Sequence, residues 1–176
     1  MEIISYKYAL LAIISIIVFH FLHHKYRVGF LLILSCVFIY SFSINLLIYI
    51  VFYSIINYII GLKIPESKHK KTLYRIGIII NLSQLILLKY GSFVIDPALH
   101  IVSSNIYTSK LAEIIFPIGI SYFALQGISY LINVKMGWEK PEKNLLNFLL
   151  YITYFPKFLS GPIERSNHFL PQLNGY

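Results

Sequence analysis

Long apolar runs separated by short basic loops organise the chain. The first run, Ile3 to Leu22, has Lys7 as its one charged residue and closes at His23-His24-Lys25-Tyr26-Arg27, a basic and aromatic group suited to a membrane interface. It lacks both a basic start and a small-residue cleavage site, so it does not read as a cleaved signal peptide. From Val28 to Ile60 no charged residue occurs. As one helix that stretch would be about 50 Å long, well beyond a hydrocarbon core of about 30 Å, so it divides into two segments. Ser41-Phe42-Ser43 is the expected break. Loop charge supports the division. With the break, the basic loops 23–27, 63–75 and 135–143 all fall on one side of a membrane; without it, the first two face opposite sides.

Leu73 to Ile95, Leu111 to Val134 and Leu145 to Ile163 are the remaining runs. The pattern predicts an all-α fold, a polytopic integral membrane helical bundle of about six membrane segments, the last two interrupted by Pro and Gly. On the positive-inside rule the three basic loops are cytoplasmic, the amino terminus is outside and loop 96–110 is external. No internal repeat, low-complexity segment or interdomain linker is found, so residues 1–176 read as one membrane domain with no soluble domain.

Composition agrees: 57% of the 176 residues are hydrophobic and 12% charged, far from the usage of a soluble domain. The formal charge of +8 sits in the short loops between apolar runs, where membrane topology accounts for it and nucleic-acid binding is not expected. The lone cysteine, Cys36, lies within an apolar run and reads as packing.

Two stretches break the helical pattern. Phe116-Pro117-Ile118-Gly119-Ile120-Ser121 places a proline and a glycine in the fifth run and then supplies a hydroxyl, followed by the phenol of Tyr122. By itself a proline there reads equally well as a tolerated kink. Phe155-Pro156-Lys157 through Ser160-Gly161-Pro162-Ile163-Glu164-Arg165 breaks the sixth run. Proline removes a backbone donor and clashes with the preceding turn, and lipid cannot satisfy the carbonyls thus freed. Interrupted backbone at membrane depth survives where protein surrounds it or a polar cavity meets it, so the two breaks suggest one shared pathway. At the centre of a lipid-facing helix Lys157 would cost about 2.5–3.5 kcal/mol, so it must snorkel, pair or face a polar cavity. Glu164 and Arg165 read equally well as interface markers. His20, His23 and His24 have helical spacing, but no nearby Cys, Asp or Glu completes a metal site, and none is expected. No phosphate loop, zinc pattern or nucleophile elbow occurs.

These motifs resemble the membrane-bound O-acyltransferases, specifically the bacterial branch containing alginate O-acetyltransferase and the D-alanyl transferase of teichoic acid. The residues that carry the resemblance are Phe116 through Phe123, Ile128-Ser129-Tyr130-Leu131, and Tyr154-Phe155-Pro156 through Arg165, with weaker agreement at Asn57-Tyr58, Asn81-Leu82 and Lys89-Tyr90. The chain departs from the pattern at Asn133, where the branch usually has an acidic residue, and at Lys157, where glutamine is common. The resemblance covers only the family's amino-terminal part and implies that residues 1–176 are the amino-terminal portion of an acyltransferase domain in the cell's inner or plasma membrane.

It further implies acyl transfer, with acetyl the expected group, from a cytoplasmic thioester donor, acetyl-coenzyme A or an acyl carrier thioester, to a hydroxyl of an exported polysaccharide. Pro117, Gly119, Ser121, Tyr122, Pro156, Lys157, Gly161, Pro162 and Arg165 are then the candidate tunnel or motif residues. Membrane lipid, the donor, the polysaccharide and periplasmic or extracellular acetylation proteins are the implied partners, and no bound cofactor is expected. The family's catalytic histidine lies on a later helix and none of the six histidines here matches it, so the 176 residues alone are expected to be inactive, with no catalytic residue among them. A non-catalytic membrane scaffold or partner subunit is the alternative, and a transporter the third reading.

Overall fold

The computed structural model describes residues 6–102, 120–158 and 164–174, and their regular structure is entirely helical. In chain order the helices are α1 (Tyr6–Phe21), α2 (His24–Tyr40), α3 (Ile44–Glu66), α4 (Lys70–Val102), α5 (Ile120–Met136), α6 (Leu145–Thr153), the single turn α7 (Phe155–Phe158) and α8 (Ser166–Asn174).

The expected break between α2 and α3 is present, and its serines explain it. The Ser41 hydroxyl donates to the Phe38 carbonyl at 2.7 Å, drawing the backbone away from its helical partner. Ser43 is fully extended, with φ −168° and ψ 138°, and its carbonyl then accepts the first bond of α3 from the Leu47 N–H. One expectation is corrected. Residues 96–102, expected in an external loop, continue α4, which runs for 33 residues, about 50 Å. The expected interruption of the run from Leu145 to Ile163 is present as well: its first helix ends at Thr153, so α6 has only nine residues, about 14 Å. Among the described residues Ile44–Glu66 is the one helix long and apolar enough to cross a membrane.

That helix is the hub. One face of α3 buries Leu46, Ile50, Tyr53, Asn57, Ile60 and Ile64 at three- and four-residue steps against α2, α4, α5 and α6. Its other face leaves Ile48, Phe52 and Ile59 exposed. Glycine brings the backbones together where these helices cross. A Cβ on Gly61 would meet the Tyr130 ring, one on Gly77 the Leu131 side chain, and one on Gly127 the Tyr53 hydroxyl.

A buried polar spine ties the crossing. The Tyr53 hydroxyl donates to Asn81 Oδ1 and lies 3.1 Å from the Phe123 carbonyl. Asn81 Nδ2 donates to Asn57 Oδ1 at 2.8 Å and to the Gly77 carbonyl at 2.7 Å, and Asn57 Nδ2 donates to the Tyr53 carbonyl. Asn57 and Asn81 are fully buried, so each bond replaces one that water would otherwise supply.

The basic loops gather at one end of the bundle. Tyr58 of α3 donates to the Lys143 carbonyl at 2.6 Å, and the Lys135 ammonium sits 5.3 Å from the Tyr74 ring. A cavity of about 630 Å³ joins His24, Lys25 and Val28 to Asn144 and Asn147.

Gly127→Ala is expected to lower the melting temperature of the purified chain, with a loss of about 1–3 kcal/mol from overpacking against Tyr53 and Asn81. Gly29→Ala, where a Cβ would meet nothing within 4 Å, should leave it unchanged or raise it. Equal melting of both variants would show that close approach at Gly127 is not required.

Candidate functional site

In α5 the polar residues Tyr122, Gln126, Tyr130 and Asn133 follow one another at steps of four, four and three, which places them on one face. That face meets α6, α8 and the loop between α5 and α6. Tyr122 contacts the Glu164 main chain. The Tyr151 hydroxyl of α6 lies 3.5 Å from the Gln126 carbonyl and 3.4 Å from the Glu164 carbonyl. The Tyr130 ring packs 4.7 Å from Phe148, and its hydroxyl accepts from the Glu142 N–H at 3.2 Å. Asn133 Nδ2 donates to Ser166 Oγ at 3.1 Å, and Ser166 donates onward to Glu139 Oε2. A seam of buried polar groups thus runs through an apolar core.

One end of the seam is the interrupted segment. Helix α6 begins where the Asn144 side chain accepts from the Leu146 N–H at 2.9 Å, and it ends at Tyr154, whose ψ of 108° leaves the helical region. The break exposes the Phe155 N–H, which the buried Ser35 hydroxyl of α2 accepts at 3.2 Å. Pro156 follows within the first turn of α7, where its missing donor does no harm. Lys157 forms an ion pair with Glu164, and its ammonium lies 3.5 Å from the centre of the Phe169 ring and 5.2 Å from that of Tyr154. The lysine is therefore paired and covered by aromatic faces, a cation–π arrangement. At the other end, a cavity of about 1080 Å³ opens among Tyr58, Trp138, Lys140, Lys143, Asn167 and Leu170.

Among the candidate residues, Tyr122 and Lys157 meet at Glu164, through its main chain and its carboxylate respectively. Pro156 is exposed at the break, and Arg165 is exposed with its carbonyl accepting the first bonds of α8 from His168 and Phe169. Ser121 lies in α5, its side chain outside the described residues, as are Pro117, Gly119, Gly161 and Pro162 altogether. Sequence reasoning missed Gln126, Glu139, Tyr151 and Ser166. For Gln126 the signal was available: a four-residue polar repeat within an apolar helix. Ser166 and Glu139 are 27 positions apart and meet only through the fold. His20, His23, His24, His69 and His168 are exposed, and among the described residues no three His, Cys, Asp or Glu side chains gather as metal ligands.

A helical core crossed by such a seam, in a chain with these motifs, has relatives among bacterial O-acetyltransferases. The chain is 30% identical over 155 residues to the probable alginate O-acetylase AlgI of Pseudomonas aeruginosa, covering 85% of this chain and 30% of the relative. Against the protein of the same name from Azotobacter vinelandii it is also 30% identical, with 85% and 31% covered. Against the peptidoglycan O-acetyltransferase of Helicobacter pylori it is 28% identical over 169 residues, with 80% and 32% covered. The chain thus resembles the bacterial O-acetyltransferase branch of the membrane-bound O-acyltransferases and spans about a third of the length of these relatives. No protein-family profile matches it. No solved structure does either.

Burial raises the Glu139 carboxyl above its ordinary value, outweighing the bonds donated by Ser166 and Asn133. The fold therefore favours the protonated form. Below the unfolded value, about 4.3, Glu139 adds no pH dependence; as pH rises through the raised folded value, the charged form lowers stability. Melting temperature should fall across that window in the unaltered chain, and Glu139→Gln should flatten the fall. An identical pH profile in the variant would contradict the assignment.

Lys157→Met should destabilise the chain by leaving Glu164 without its cation, and adding Glu164→Gln should recover part of the loss. With both groups partly exposed the coupling should be about 1 kcal/mol, read from a double-mutant cycle of thermal unfolding. Additive losses would mean that the pair does not hold the break closed.

Proposed function

We propose that the chain forms the amino-terminal part of a multi-pass membrane O-acetyltransferase. The whole enzyme would move an acetyl group from a cytoplasmic thioester, acetyl-coenzyme A or a carrier-bound donor, to a hydroxyl of an exported polysaccharide. The observation that carries this reading is the similarity to O-acetyltransferases along 85% of the chain. The seam supports it, because buried hydroxyls and amides beside a broken helix give a hydroxyl-bearing acceptor a polar path through an apolar bundle.

In the reaction the acceptor oxygen attacks the thioester carbonyl, the C–S bond breaks, the acetyl ester forms and the proton leaves the alcohol to a base, with thiol as the other product. A hydroxyl is a weak nucleophile at neutral pH, so an imidazole positioned near it lowers the barrier. The exposed histidines here are poorly placed for that, and the base is assigned to sequence outside these 176 residues. The chain's own residues line the path and hold the break. The end carrying the basic loops is assigned to the cytoplasm and the amino terminus to the opposite side. Lipid, the polysaccharide and acetylation proteins beyond the membrane are the partners of this reading.

The test is a chimera in which this chain replaces the aligned third of the P. aeruginosa relative, assayed for acetylation of alginate in cells lacking the native protein. Acetylation is expected from the chimera and none from the 176 residues alone. A chimera that accumulates in the membrane yet transfers no acetyl group, or turnover by the 176 residues alone, would contradict the reading.

A further inference from the structure

Gln126 stands at the centre of the seam, one turn after Tyr122 and one turn before Tyr130. It is 1% exposed, and neither its Oε1 nor its Nε2 has a hydrogen-bond partner among the described residues. The buried amides of Asn57, Asn81 and Asn133, by contrast, are all engaged. A buried amide left without partners costs a few kcal/mol, whereas leucine or methionine would occupy an apolar helix there without that loss. A second polar group beside it is loosely held. Tyr151 reaches the Gln126 and Glu164 carbonyls only at 3.5 and 3.4 Å, longer than the usual span of about 2.7–2.8 Å for a hydroxyl donor.

An unpaired amide presents one acceptor and two donor hydrogens. A thioester carbonyl would satisfy only the donors, and a cation only the acceptor. A hydroxyl satisfies both, donating to Oε1 and accepting from Nε2. We propose that the Gln126 side chain is a seat for one hydroxyl group: an ordered water when the seam is unloaded, and a hydroxyl of the sugar acceptor when it is loaded. The second half rests on the acyltransferase reading above; the first does not.

The chain contains three glutamines, Gln84, Gln126 and Gln172, so the side-chain amide of Gln126 is identifiable by labelling glutamine with nitrogen-15 and finding the signal lost in Gln126→Met. In lipid nanodiscs, magnetisation transfer from water to that amide is expected in the unloaded chain. Adding alginate oligosaccharide should displace the water contact and shift the signal, with Gln84 and Gln172 unmoved. Water contact without a saccharide effect would overturn the acceptor half and leave a water seat. No contact with either, together with a higher melting temperature for Gln126→Met, would overturn the whole inference. In an active chimera, Gln126→Met should raise KM for the polysaccharide by up to about tenfold, the weight of one neutral hydrogen bond, with KM for the thioester unchanged. Equal changes in both would mean a structural role. An inactive chimera that still shows water at Gln126 would sink the acyltransferase reading and spare the water seat.

Discussion

The Asn81 amide, buried where α3, α4 and α5 cross, sets the constraint on which the rest of the bundle depends. An apolar surrounding offers no replacement for a lost hydrogen bond, so Asn81 must stay against Asn57, the Gly77 carbonyl and the Tyr53 hydroxyl together. Hydrophobic contact alone would let these helices slide, since leucine and isoleucine are interchangeable partners. The amide fixes their register, and Gly127 lets α5 come close enough for Tyr53 to reach both Asn81 and the Phe123 carbonyl. With α5 placed in this way, its polar face is turned toward α6 and α8.

Local breaks then become structural features rather than defects. The turn between α6 and α7 leaves a backbone donor that Ser35 satisfies from α2, 120 positions earlier in the chain. The lysine after it is neutralised by Glu164 and shielded by Phe169, a residue of α8. The short helices α6 and α8 owe their placement to these bonds, since nine residues are too few to hold a helix by propensity alone. The chemistry proposed for the seam follows from the same packing that keeps the interruption folded.

Much of this was legible in the sequence where the signal is local. An uncharged run too long for one segment with two serines at its middle gave the α2–α3 break, and Pro156 gave the interruption. The cost of a charge at membrane depth left Lys157 to snorkel, pair or face a polar cavity, and the fold pairs it with Glu164. What lay beyond the sequence are pairings across distance: Ser166 with Glu139, Asn133 with Ser166, and Ser35 with Phe155. The extension of α4 to Val102 was missed because Asp96 and Pro97 resemble a loop start. Pro97 lies in the interior of α4, where proline removes a backbone donor and ordinarily kinks or ends a helix, yet α4 continues through it.

Placement of the basic ends joins the fold to the membrane. In a background with Cys36 replaced by alanine, single cysteines at Lys25, Lys71, Lys140 and Ser41, exposed positions all, can be labelled with an impermeant maleimide in sealed vesicles of known orientation. The account predicts that Lys25→Cys, Lys71→Cys and Lys140→Cys react from the cytoplasmic face and Ser41→Cys only from the opposite face. Reaction of Ser41→Cys from the same face as the other three would contradict a bundle in which α2 and α3 each cross the bilayer.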